Sequence, residues 1–281
     1  MILFWQKTFF IYLILIFSLF AAEKTPMDYL NDNTPLKPTK VFDNVYCIGS
    51  VSVVAWVIST SDGLILIDSM WDDRDSKLIE DGIKGFGLDP KQLKYIILSH
   101  GHGDHYGGAK YLREKYGAKV ILTKTDTDLM YNLNTGANSP RSPKTKVDIY
   151  SKDKDIIKLG DTSITILETP GHTAGCTSFI FPVKFRGKEY TAVLWGGTGL
   201  PKDRDLVSKY KTSAEYFKKE AISRNASVSL TAHLFADNGY ANLEKAGNLK
   251  ANEQNPFIMS KENMEKYLNS LIERAEKELN K

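Results

Sequence analysis

The stretch SHGHGDHYGG, residues 99–108, places three histidines and one aspartate within six positions. These residues are His100, His102, Asp104 and His105. The whole chain of 281 residues contains only 5 histidines, so their clustering needs a chemical explanation. The apolar run LKYIILS before the cluster predicts a buried strand, and sites of α/β proteins form where such strands end. A polar turn does not require so many imidazoles, and the stretch therefore predicts a metal site.

The spacing within this cluster suits two neighbouring metal ions. His100 and His102 are two residues apart, and the glycines that follow each of them let the backbone turn tightly enough for both rings to reach one ion. Asp104 and His105 lie further along the turn and can serve a second ion. Imidazole and carboxylate ligands together suit zinc. Because a catalytic zinc ion usually has three protein ligands, two such sites need six, of which the cluster supplies four.

The two remaining histidines lie at the ends of other predicted strands. His172 follows the strand TSITILE in the loop TPGHTAG, and His233 ends the segment VSLTAH. Either histidine alone would more often be a hydrogen-bonded surface or core residue. Together they raise the number of ligands to six, and no histidine occurs elsewhere in the chain. We therefore predict that every histidine of the protein is a metal ligand.

The order of the segments predicts two β-sheets. Three short apolar segments after residue 40 predict an antiparallel meander, which gives way to alternating strands and helices. The second half repeats this arrangement. Helices are predicted over about residues 106–116, 124–131, 209–224, 242–250 and 260–279. Two β-rich halves, each covered by helices, indicate the α/β (α+β) class, with two sheets face to face and helices outside.

The N-terminal region predicts an exported protein. Residues 8–22, TFFIYLILIFSLFAA, form an apolar run after Lys7, which is typical of a secretory signal. We predict a signal peptide over residues 1–22, a linker over residues 23–40 and one folded domain over residues 41–281. The alternative is an uncleaved membrane anchor, because the first segment is about long enough to cross a bilayer. Cleavage would leave a periplasmic or secreted protein without a membrane attachment.

Composition argues against some partners. The chain is 42% hydrophobic and 25% charged, as expected of a globular protein, and its formal net charge is +3. Without a basic stripe it is a poor candidate for nucleic-acid binding. Two cysteines are too few for a disulfide framework, and Cys47 and Cys176 lie in apolar or small-residue segments, so we expect buried free thiols. Pairing in an oxidising compartment is the alternative. We expect a monomer.

These residues resemble a known family. The cluster is similar to the His-x-His-x-Asp-His signature of the metallo-β-lactamase superfamily, and LILIDSMW, TPGHTAG and LTAH occur in the order of that family. The resemblance implies an αββα sandwich with two zinc ions per chain, most like the third subclass of metallo-β-lactamases. The ligands that it implies are His100, His102 and His172 for the first zinc, and Asp104, His105 and His233 for the second.

The resemblance also assigns roles outside the ligand set. Asp68, at the end of GLILID, is implied to hold a ligand histidine by its outer nitrogen, and the alternative is a helix cap for the segment that starts at Asp72. Thr198 is a candidate for contact with the substrate or with a metal-bound water, and the alternative is a turn residue. Glyoxalase II and many relatives have a bridging Asp in this region, and other lactamases have a Cys ligand, whereas LWGGTGLP has neither.

The resemblance implies a hydrolase whose small-molecule substrate is a β-lactam antibiotic. A zinc-bound hydroxide would open the ring, while Asp104 fixes the second zinc and orients or relays a proton. Leu234 and Cys176 stand where the subclass commonly has Pro and Ser, which leaves open a hydrolase of esters, lactones or thioesters. A serine hydrolase would show a Gly-x-Ser-x-Gly elbow, which is absent. A zinc-stabilised binding protein would not need open coordination positions.

Overall fold

Two β-sheets pack face to face in the computed structural model, which describes residues 24–133 and 141–281. The predicted signal peptide, residues 1–22, lies outside the described residues. The first sheet has the strand order β1 to β7, in which β5, β6 and β7 join in parallel. Its strands are β1 Thr39–Phe42, β2 Val45–Gly49, β3 Val54–Thr60, β4 Gly63–Ile67, β5 Leu93–Ile97, β6 Lys119–Thr123 and β7 Ile149–Ser151. The antiparallel meander, β1 to β4, has four strands instead of the predicted three, because the first predicted segment folds as the hairpin of β1 and β2.

The second sheet comes from the second half of the chain. Its order is β12-β11-β10-β9-β8, antiparallel except for β12, which pairs in parallel with β11. Its strands are β8 Ile156–Leu159, β9 Thr162–Glu168, β10 Thr177–Phe185, β11 Lys188–Leu194 and β12 Ala226–Leu230. The prediction omitted β7, because three residues are too few to show a periodic pattern.

Helices cover the outer faces of both sheets. The helices of the described residues are α1 Pro26–Leu30, α2 Asp73–Gly85, α3 Gly103–Tyr106, α4 Ala109–Tyr116, α5 Lys124–Asn132, α6 Arg204–Ser223, α7 Gly239–Gly247 and α8 Lys261–Leu279. Apolar side chains of α2 and α4 pack on the first sheet, and those of α6 and α8 pack on the second. This confirms the predicted αββα sandwich.

Strand β4 shows why the sheets lie inside. All five of its residues are buried, because successive side chains point to opposite faces and both faces are covered. Leu64 and Leu66 pack with the helices, whereas Ile65 and Ile67 join the core between the sheets. Trp56 belongs to that inner core, where its indole nitrogen donates to the carbonyl oxygen of Thr231 at 3.0 Å.

The helix predicted over residues 106–116 is interrupted. A Cβ atom on Gly107 would lie 1.7 Å from the carbonyl oxygen of Trp71, and one on Gly108 would lie 2.3 Å from that of Ser69. The loop after β4 therefore touches the backbone at this point, and the amide of Gly107 donates to Met70 at 2.8 Å. The loop after β4 interrupts the helix here, and this contact could not be predicted from the local sequence pattern.

Other predicted boundaries move by a few residues. Helix α6 begins at Arg204 rather than near residue 209, because the Asp203 side chain accepts from two backbone amides of its first turn. Helix α7 ends at Gly247, three residues before the predicted end. Both free cysteines are buried. None of the helices in residues 24–133 and 141–281 is long and apolar enough to cross a bilayer.

The predicted linker is an ordered arm. Helix α1 lies within it, capped by Thr25, and strand β1 begins at its end. The carbonyl oxygen of Leu30 accepts a hydrogen bond from Ser52 at 3.0 Å, and Asn33 accepts one from Arg141 at 2.8 Å. The Tyr29 ring stacks on Phe235 at 5.2 Å. The arm therefore packs beside the loop that carries His233.

Candidate metal centre

Three strand ends meet at one edge of the sandwich. The histidine cluster follows β5 and opens α3, His172 follows β9, and His233 lies three residues beyond the end of β12. The glycine-containing loops that follow β5, in the first sheet, and β9, in the second, bring their imidazoles together there. Two groups result in the described part of the chain, and the potential ligand atoms within each group all lie within 4.8 Å of one another.

The first group consists of His100, His102 and His172. Nδ1 of His102 lies 3.1 Å from Nε2 of His172, close to the separation of about 3.3 Å expected for two nitrogen ligands of one tetrahedral zinc ion. Nδ1 of His172 donates to the carbonyl oxygen of Gly199 at 2.6 Å, which leaves Nε2 as the free acceptor. Nε2 of His100 is buried and has no hydrogen-bond partner among the described residues. These nitrogen atoms fit a bound zinc ion.

The second group consists of Asp104, His105 and His233. Oδ2 of Asp104 lies 3.4 Å from Nε2 of His105 and 3.4 Å from Nε2 of His233. Nδ1 of His233 donates to the carbonyl oxygen of Ser52 at 2.9 Å, so its Nε2 atom is free to bind an ion. Nε2 of His105 is buried and lacks a hydrogen-bond partner in the described ranges. One carboxylate and two imidazoles suit zinc.

Burial and charge set different protonation states in the two groups. Burial lowers the pKa of His100 well below its usual value, and it lowers the pKa of His172 to about 4. Both rings are therefore neutral at pH 7, as metal ligands must be. Burial acts in the same direction on His105, but the charges of Asp104 and Asp68 outweigh it and raise the pKa of His105 to about 10. A metal ion in the second group would replace that proton.

Asp68 contacts a ligand of the second group, as the resemblance implies. Its Oδ2 atom lies 2.8 Å from Nδ1 of His105 and accepts from the Ser99 hydroxyl at 3.0 Å, while Oδ1 accepts from the Ser99 amide at 2.8 Å. The residue is fully buried, with φ of 59°. Asp is one of the few residues that tolerate this conformation. The helix-cap alternative is wrong, since Asp72 caps α2.

The loop after β11 has no room for a side chain at Gly196 or Gly197. A Cβ atom on Gly196 would lie 1.8 Å from the carbonyl oxygen of Thr177, and one on Gly197 would lie 2.4 Å from Cβ of His172. Thr198 is half-buried in the same loop, and its carbonyl oxygen faces the Arg274 guanidinium at 3.4 Å. The loop therefore approaches the first group through backbone and supplies no carboxylate or thiolate to it.

Sequence reasoning missed Asp126. This residue is fully buried in the first turn of α5, and burial raises the pKa of its carboxyl although three donors oppose the shift. Its oxygens accept from the amides of Gly101 and Gly175 and from the Thr173 hydroxyl. The local signal, Thr123 three residues before an acid, indicates only a helix cap, so no pattern linked Asp126 to the metal groups.

Comparison with known proteins points to one family. The model of the metallo-β-lactamase superfamily matches residues 48–184, which include Asp68, the histidine cluster and His172. Over this stretch, just under half of its length, the chain matches the metallo-β-lactamase superfamily. Its structural neighbours within the superfamily include BJP-1, a subclass B3 metallo-β-lactamase of Bradyrhizobium japonicum, with a TM-score of 0.76 and 28% identity over 91% of this chain and 97% of that one. FEZ-1 from Legionella gormanii follows, with a TM-score of 0.73 and 25% identity over 88% and 97%.

Curated relatives within the metallo-β-lactamase superfamily carry a different name. A hydroxyacylglutathione hydrolase of Pelagibacter ubique is 42% identical over 89 residues, which is 32% of this chain and 31% of the relative. The enzyme of that name from Francisella tularensis subsp. novicida is 36% identical over 90 residues. The chain thus matches less than a third of the length of these relatives. The local identity is higher here than in the structural neighbours, but it covers only 32% of this chain.

Proposed function

We propose that this protein is an exported zinc-dependent hydrolase that opens the β-lactam ring of antibiotics. The observation that carries the proposal is the pair of three-ligand groups with no carboxylate from the loop after β11. The ligand set Asp104, His105 and His233 is the one that the resemblance links to the third lactamase subclass. The similarity to BJP-1 over nearly all of both chains supports the same substrate class.

The proposal gives each residue a role. Zinc ions bound to the two groups would supply Lewis acidity and lower the pKa of water near neutrality. Asp104, whose Oδ2 atom lies beside Nε2 of His105 and of His233, would help to hold the second ion and is the candidate to hold or relay a proton during ring opening. Asp68 and Ser52 orient His105 and His233, so that Nε2 of each ring faces the site. Thr198 remains a candidate for substrate contact.

A second candidate is hydrolysis of a hydroxyacyl thioester of glutathione. The local identity to two hydroxyacylglutathione hydrolases favours it. Against it stands the Gly196–Gly197 pair, which occupies the region where the resemblance places the bridging aspartate of glyoxalase II. The two candidates differ in the bond that is cleaved, an amide in a strained ring or a thioester, and one experiment separates them.

The experiment uses zinc-loaded protein from residue 23 onward. Hydrolysis of a chromogenic cephalosporin, a carbapenem and a hydroxyacyl thioester of glutathione is followed, with His102→Ala and chelator-treated protein as controls. We expect turnover of at least one β-lactam that both controls abolish. Turnover of the thioester alone would replace the lactamase proposal with the second candidate. Periplasmic recovery of the full chain, shortened at its N-terminus, tests export separately.

A further inference from the structure

We propose that Asp126 is a positioning residue that sets the metal affinity of the first group and not that of the second. The inference rests on the zinc binding in the proposed function, but not on the identity of the substrate. The three hydrogen bonds that the Asp126 carboxylate accepts come from the two loops that carry the ligands and not from a ligand side chain. Its carboxylate joins these loops, which belong to opposite sheets of the sandwich.

The hydrogen bonds of Asp126 flank the ligands of the first group. Oδ2 accepts from the amide of Gly101, which lies between His100 and His102, at 2.8 Å. The same oxygen accepts from the hydroxyl of Thr173, the residue after His172, at 2.6 Å. Oδ1 accepts from the amide of Gly175 at 2.7 Å. One buried carboxylate thus ties together the backbones that position all three imidazoles.

The packing around these hydrogen bonds leaves little freedom. A Cβ atom on Gly101 would lie 2.4 Å from the carbonyl oxygen of Asp126, and one on Gly175 would lie 2.6 Å from Oδ1 of Asp126 and 2.5 Å from Oγ1 of Thr123. The Thr123 hydroxyl also donates to the carbonyl oxygen of Gly175 at 2.8 Å. Both loops therefore pack closely against the first turn of α5.

The second group is held by other residues. His105 is oriented by Asp68, and His233 is oriented by the carbonyl oxygen of Ser52. None of the three hydrogen bonds of Asp126 reaches the backbone or side chain of these two histidines or of Asp104. Loss of the Asp126 carboxylate should therefore loosen one metal group and spare its neighbour.

Asp126→Asn is the principal test. The amide is isosteric with the carboxylate, but its NH₂ group must face either the Gly175 amide or the Gly101 amide, and neither is an acceptor. We expect the first-group zinc affinity to fall by about 10-fold to 100-fold while the second-group affinity is unchanged. The measurements are competitive zinc titration of the purified protein and the absorption spectrum of its cobalt form, so β-lactam turnover is not the readout.

Three further variants separate positioning from general destabilisation. Thr173→Val removes one donor with little change of shape and should lower the first-group affinity less than Asp126→Asn, while Thr173→Ser should restore it. Asn255→Ala removes a buried side chain that bonds Val41 and Phe257, and it should lower stability while both zinc affinities persist. If Asp126→Asn does not fold, the comparison of Thr173→Val with Thr173→Ser tests the inference.

Two results would overturn the inference. One is an Asp126→Asn or Thr173→Val protein that retains the first-group affinity of the wild type. The other is an equal loss at both groups, which would show a general structural role. Wild-type protein that binds fewer than two zinc ions would remove the basis of both the inference and the proposed function. Wild-type protein that binds two zinc ions but hydrolyses no β-lactam would overturn the substrate assignment alone.

Discussion

Oδ2 of Asp68 lies 2.8 Å from Nδ1 of His105, and both side chains are only 1% exposed. The contact fixes the outer nitrogen of the ring, so that Nε2 faces Asp104. Asp68 directly follows β4 and His105 lies in α3, and a buried carboxylate therefore links the end of a strand of the first sheet to the second metal group. Asp126 has the corresponding position toward the first group, although it acts through backbone amides.

Asp68→Asn should weaken zinc binding at the second group by about 10-fold to 100-fold. An amide nitrogen facing Nδ1 of His105 would require that atom to accept, and the ring proton would then occupy Nε2, where the metal binds. Zinc titration measures the two affinities. Asn also tolerates the φ of 59°, so the change does not strain the backbone. Unchanged second-group affinity would contradict this role of Asp68.

Gly197→Ala should lower both the zinc affinity of the first group and the hydrolysis rate, the latter by about 100-fold, since displacement of His172 by a fraction of an ångström disturbs the site. The new Cβ would lie 2.4 Å from Cβ of His172. Gly199→Ala is the matched control, because its Cβ would be 3.6 Å from the nearest His172 atom. Steady-state kinetics on the substrate that the proposed assay identifies checks the pair, and equal losses in both variants would refute the steric argument.

Glu80→Gln should lower the free energy of unfolding by about 1 kcal/mol at pH 7. Burial alone would raise the pKa of Glu80, but its hydrogen bonds with Lys115 and Lys84 lower the pKa to about 2. A carboxyl with a depressed pKa stabilises the fold above its unfolded value, and the effect is lost as pH falls through the folded value.

Urea denaturation of the metal-free proteins at several pH values checks this expectation. The difference between wild type and Glu80→Gln should be complete above about pH 5 and should shrink toward pH 2. Glu262→Gln is the control, because Glu262 pairs with Lys266 at the surface, with 77% of its side chain exposed. A difference that does not vary with pH would show that the Glu80 charge has no stabilising role.

Cys47 and Cys176 should react with a thiol reagent only after unfolding. Their exposures are 1% and 0%, and burial raises the pKa of both thiols, so that the reactive thiolate is scarce. Titration with Ellman's reagent should give two thiols per chain in denaturant and none in the native protein. Absence of both thiols in denaturant would instead indicate that the cysteines pair.

The sequence by itself determined the two-sheet sandwich and was enough to predict all five histidines as metal ligands. Side chains alternate between the two faces of a strand and repeat with a period near 3.6 in a helix. A run that is apolar at consecutive positions, such as GLILI, therefore predicts a strand that is buried on both faces. The metal-binding role of the cluster could also be predicted from one short segment, because His100, His102, Asp104 and His105 all lie within six residues after a predicted strand. His172 and His233 were found because both follow predicted strands and no other histidine exists.

Only the tertiary structure decided how these residues act. The break between α3 and α4 comes from the approach of the Trp71 carbonyl, about 36 positions away in the chain, to Gly107. The role of Asp126 depends on hydrogen bonds from Gly101 and Gly175, which lie on either side of it in sequence, in loops that follow strands of different sheets. Contacts of this kind leave no periodic signal, because each depends on the close packing of segments that the chain brings together only when it folds.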